Sequence, residues 1–144
     1  MTKMAPLVPC AALLSALCLA ACGDGPVGSY KLDKAATKKE MEADAAKLTG
    51  KAAEAAKLGT SFVEAMDGTL ELKPGGTLSQ KVTMTGLGGK GAAPKEETGT
   101  WKKVEGGLTL DIGKQELSCT HSGKSLTCKD SKGHGTGVLV WTKS

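Results

Sequence analysis

The chain of 144 residues leaves room for one domain, and with only four aromatics (Tyr30, Phe62, Trp101 and Trp141) its core must lean on Leu, Val, Met and Ala. A formal net charge of +4, carried by lysines without a single arginine, is too mild for a nucleic-acid footprint and lacks the guanidinium fork suited to phosphate. The scattered lysines read as a solvated surface with a weak attraction for anionic headgroups.

The first segment has one cation, Lys3, followed by a stretch of low polarity from Ala5 to Cys22. A basic start, a short apolar region and small residues at its end have the layout of a secretory signal, here 1–21; Pro9 and the many alanines make it a poor membrane span. Leu19-Ala20-Ala21-Cys22 resembles the bacterial lipobox. That resemblance implies cleavage before Cys22 and fatty acyl chains of the palmitate type on its sulfur and its new amine. Three such chains make departure from a membrane negligibly slow. Gly23, where an inner-membrane lipoprotein of enterobacteria carries aspartate, implies by the same resemblance an outer-membrane location facing the periplasm. Residues 22–29, rich in glycine and containing Pro26, read as a flexible tether to a single domain at 30–144.

Gly28-Ser29-Tyr30-Lys31-Leu32-Asp33 then offers a short strand with Tyr30 and Leu32 on one face, and Asp33 is placed to cap a helix. From 34 to 67 Ala, Lys, Glu and Met dominate, all strong helix formers. Met41, Ala45, Leu48, Ala52, Ala55, Gly59, Phe62 and Met66 recur at alternating spacings of four and three, which predicts one narrow apolar stripe. Gly50 and Gly59 weaken a continuous helix, so two helices hinged near Leu48 to Lys51 fit as well as one.

From Gly68 the pattern changes to alternation: Leu70 and Leu72; Leu78, Val82 and Met84; Leu108, Leu110 and Ile112. Pro74-Gly75-Gly76 and Gly106-Gly107 mark turns, and 85–97 reads as a long flexible connection. Short strands at this spacing predict an antiparallel β-meander, in a sheet, a sandwich or a small barrel. With the helical segment inserted after the first strand, the fold class is α+β.

Cysteine arithmetic sharpens the last third of the chain. Cys10 and Cys18 leave with the signal and Cys22 takes the lipid, so Cys119 and Cys128 remain in an oxidising compartment. If Gly123-Lys124 forms a two-residue turn, Ser122 faces Ser125 and, counting outward, Cys119 faces Cys128 in a close, non-hydrogen-bonded pair suited to a disulfide. A turn at Ser122-Gly123 would instead set Cys119 opposite Leu126. Cys119, His121, Cys128 and His134 form an alternative metal set, but their spacings match no compact zinc module.

Other chemistry finds little support. Gly86-Leu87-Gly88-Gly89-Lys90-Gly91 lacks the first glycine, the hydroxyl residue and the helix that a phosphate loop needs. There is no G-x-S-x-G elbow and no H-E-x-x-H, and acid pairs such as Glu96-Glu97 read as solvated charges. No enzymatic activity and no cofactor are expected. Trp101 and Trp141 would either anchor the core or stack on a ligand.

The mature chain resembles the small lipocalin-like domains of bacterial secreted lipoproteins over residues 28–33 and 68–143. The residues that carry this are the opening strand, Gly75-Gly76-Thr77-Leu78, Gly99-Thr100-Trp101-Lys102 leading to Leu108-Thr109-Leu110, and Trp141 near the end. The resemblance implies an up-and-down meander of about eight strands, a small lipocalin-like barrel. The expected protein is a lipid-anchored binding or interaction module with two candidate partners, an apolar small molecule held inside the sheet or an envelope protein docked on the Ala-rich helix. The alternatives are a structural spacer built on a coiled coil and a periplasmic metal-binding protein.

Overall fold

Alternation along the second half of the chain produces strands whose inward side chains share one core. The computed structural model describes residues 25–86, 92–132 and 137–144. The signal, lipobox and Cys22 readings, the glycine-rich 87–91 and His134 lie outside the described residues. The elements are β1 (Gly28–Leu32), α1 (Lys34–Ala45), α2 (Lys51–Glu64), β2 (Met66–Leu72), β3 (Thr77–Met84), β4 (Lys95–Val104), β5 (Gly107–Ile112), β6 (Gln115–Ser122), β7 (Ser125–Asp130) and β8 (Val138–Lys143). Every strand is antiparallel to its neighbours in sequence, and β1 closes on β8 to make a barrel. The fold is therefore the closed form of the expected meander, with the helices inserted after the first strand.

Inside the barrel Tyr30, Leu70, Leu78, Leu110, Leu126 and Trp141 pack into one cluster with the disulfide sulfurs. Cys119 and Cys128 are register partners with their Cα atoms 4.0 Å apart, and Gly123 takes a φ of +58° in the turn that sets this register. The alternative turn is thereby excluded. The interior volume that an apolar ligand was expected to share is occupied by these side chains.

Three boundaries differ from the sequence expectations. Gly28 and Ser29, assigned to a tether from sequence, belong to β1, and Pro26 is buried, its carbonyl accepting from the Tyr30 hydroxyl at 2.7 Å. The helical segment is two helices joined by an elbow at 46–50, ending at Glu64 instead of 67, since Met66 and Asp67 already pair with Met84 and Thr83. The connection after β3 is shorter than 85–97, because β4 begins at Lys95 and sets Glu96 opposite Lys81, a favourable cross-strand pair.

The helices form a hairpin folded against the outer face of β8, where Met41, Val63, Val138 and Val140 make a second apolar cluster. This placement explains why Val138-Leu139-Val140-Trp141 is unbroken apolar sequence: Leu139 and Trp141 pack with the barrel core while Val138 and Val140 meet the helices. The helices therefore pack on each other and on the barrel wall. The single stripe is also corrected. In α2 the buried residues are Ala56 and Val63, whereas Leu58 is 65 % and Phe62 53 % exposed.

The barrel has two unlike ends. One carries the tight turns at 73–76, 105–106 and 123–124, together with the entry of the chain at Gly25 and Ser144. The other carries the helical elbow, the connections β3–β4 and β7–β8 and the tight β5–β6 turn at 113–114.

Candidate functional site

Alanine-rich helices make a stable turn-by-turn backbone but fill little space, and where α1, α2 and β8 meet this leaves a cleft. Asp33 starts α1 as expected, its carboxylate accepting from the Ala36 amide at 2.9 Å. α1 then delivers Thr37, Met41 and Ala45 to the barrel side, and α2 returns with Ala56 and Val63. At Gly59 a methyl group would meet the Met41 Cε, the far end of a flexible side chain that packs over this position.

Below the elbow lies a cleft of about 380 Å³, lined by Met41, Ala45, Ala56 and Val138 and edged by Asp44 and Lys129. A second groove of about 350 Å³ between the helices shares Ala45 and Ala56 with it. Cavities of this size with apolar walls and a few charges are the usual shape of a small-ligand or peptide site.

The charges at the edge are organised. Asp44 accepts from Lys129 Nζ at 3.0 Å and from Lys47 Nζ at 3.2 Å. These hydrogen bonds hold its carboxyl below the usual aspartate range. An aspartate kept ionised in this way is unsuited to general acid chemistry near neutral pH and suited to fixing the elbow onto β7. Lys38 and Glu64 pair at 2.7 Å across the hairpin in the same manner, which raises the lysine pKa and lowers that of the glutamate.

The residues singled out from sequence fall elsewhere. Cys119 and Cys128 are bonded to each other in the core, which leaves no thiolate for the alternative metal set with His121. Among the described residues no group of three potential ligands comes together. Trp141 is 1 % exposed inside the barrel, while Trp101 is partly buried and donates its indole N–H to the Lys73 carbonyl at 3.0 Å. His121, Leu126 and Trp141 are successive register partners, and His121 Nε2 and Trp141 Nε1 are buried without a hydrogen-bond partner among the described residues.

The cleft was not anticipated from the sequence. Its signal was the four-residue apolar run at 138–141, which requires cover on both faces of β8 and so places a helix over it. In comparisons with protein-family models, curated proteins and solved structures, the chain matches none.

Proposed function

We propose that the protein is a lipid-anchored module of the bacterial envelope, non-enzymatic, that holds its helical hairpin and elbow cleft away from the membrane for binding. The observation that carries this reading is topological. The chain enters the barrel at the turn end, with Gly25 accepting from Lys143 Nζ, whereas the cleft lies at the opposite end beside Gly137 and Asp130. Acyl chains on Cys22 would fix the turn end next to the lipid and point the cleft outward. The lipobox-like Leu19-Ala20-Ala21-Cys22 supports the anchor, and Gly23 supports outer-membrane sorting.

The occupant that suits the cleft is an apolar small molecule or an apolar segment of another envelope protein, because its buried lining is Met, Ala and Val and its edge charges neutralise one another. The exposed Leu58 and Phe62 lie one turn apart on the face of α2 turned away from Ala56, outside the cleft.

Two measurements test the two halves. Wild type should partition into a detergent phase and a Cys22→Ser variant should not; equal partitioning, or a processed product that starts elsewhere, overturns the anchor. Native mass spectrometry of protein taken from membranes should show a bound small molecule or partner that is lost in Ala56→Glu; a bare mass in both forms overturns the binding role of the cleft.

A further inference from the structure

The end at which the chain enters has a surface of its own. The backbone is pinned there from Gly25 onward, by Lys143 on the Gly25 carbonyl at 3.0 Å and by Tyr30 on the Pro26 carbonyl at 2.7 Å. Three residue steps separate Gly25 from Cys22, a reach of at most about 10 Å. An anchor on Cys22 would thus hold this end roughly within one Debye length of the headgroups.

The side chains displayed there suit such a neighbour. Lys73, Lys102, Lys103 and Lys124 are all exposed on the turns and the last residues of β4. Among the described side chains of this end Glu71 and Glu105 oppose them, and Glu71 lies 3.7 Å from Lys73. Among the lysines two aliphatic residues are left in solvent, Val27 at 38 % and Val104 at 43 %. The elbow end differs: there Asp67, Glu96, Asp111, Glu116 and Asp130 offset the lysines.

We propose that this turn face, with lysines 73, 102, 103 and 124 and the exposed Val27 beside β1 and Val104 at the end of β4, lies on an anionic phospholipid surface. Lysines bring the barrel down through headgroup charge, and the two valines enter the interfacial layer. The proposal rests on the anchored reading only for the proximity of this end to lipid. Its consequence is a fixed posture: the barrel stands on its turns, and the elbow cleft faces the aqueous side.

The experiment is hydrogen exchange on the full-length protein reconstituted in vesicles of phosphatidylcholine alone or with phosphatidylglycerol. Amides at 73–76, 104–107 and 123–125 should exchange several-fold more slowly with phosphatidylglycerol, and high salt should reverse the effect. Lys103→Glu with Lys124→Glu should abolish most of this lipid-dependent slowing while the strands keep their protection, which shows that the variant is folded. Equal exchange in both vesicles, or slowing confined to the elbow at 46–50, overturns the proposal. Flotation with phosphatidylcholine vesicles reads the anchor separately. No flotation there, but phosphatidylglycerol-dependent protection of the turns, removes the anchor and keeps the face; flotation without such protection does the reverse.

Discussion

Thr37 and Val140 exchange two hydrogen bonds across the seam of the barrel: the Val140 amide donates to the Thr37 hydroxyl at 2.9 Å, and that hydroxyl donates back to the Val140 carbonyl at 3.4 Å. The seam needs them. β1 and β8 pair over just three residues, Tyr30 to Leu32, before the chain turns into α1, and the Asp33 amide takes the next bond to Val140. A helical side chain thus completes a strand ladder that β1 leaves unfinished, and no sheet edge is exposed there.

Replacing Thr37 by the isosteric Val should destabilise the fold by about 1–3 kcal/mol, since it strands a buried amide. Each kcal/mol moves the Tm of a domain this size by roughly 4 °C. Thermal unfolding should therefore show a loss of several degrees, with Thr37→Ser recovering most of it. An unchanged Tm for Thr37→Val would mean that the seam has another partner.

The disulfide should be worth about 2–3 kcal/mol, the chain-entropy value for a loop of this length. Urea unfolding of Cys119→Ala/Cys128→Ala should show that loss against wild type. Denatured, unreduced wild type should present no thiol from this pair to a labelling reagent.

Gly99 explains the Gly-Thr-Trp motif that carried the family resemblance. A methyl group there would collide with the carbonyl oxygen of Asp111, a backbone atom of the adjacent strand that has little room to withdraw. Gly99→Ala should therefore cost about 1–3 kcal/mol or more, and should lower Tm further than Gly137→Ala, where an added methyl meets nothing within 4 Å.

How much of this was legible follows from the physics of each element. The Cys119–Cys128 register could be read because a two-residue turn fixes every partner outward from it. Alternation over 68–143 gave the meander, whereas the start of β4 at Lys95 depends on register partners that lie on β3, Lys81 opposite Glu96 among them. The cleft was hidden for a similar reason. An Ala-rich helix has several weakly apolar faces, and which one is buried depends on where β8 lies.

Acidification should loosen the elbow first. Hydrogen bonds from Lys129 and Lys47 lower the Asp44 pKa, so its contribution is fully present above the ordinary aspartate value of about 4 and disappears as pH falls through the lower, folded value. Amide exchange at 44–50 should accelerate over that interval before the barrel strands respond. Asp44→Asn should show the fast elbow already at neutral pH, and an elbow as slow in Asp44→Asn as in wild type would dismiss the role of the ion pairs.

The register of α2 makes a sharp contrast between adjacent residues. The expected stripe ran through Phe62, but the folded hairpin buries Val63 against Met41, Val138 and Val140 and leaves the phenyl ring largely in water. Phe62→Ser should therefore change unfolding free energy by no more than about 0.5 kcal/mol, as exposed substitutions do. Val63→Ala removes buried methyl groups from a small cluster and should cost about 1–2 kcal/mol. Chemical denaturation of the two variants side by side decides between the registers: the larger loss belongs to Val63 if the helix lies as described, and to Phe62 if the single-stripe pattern governs.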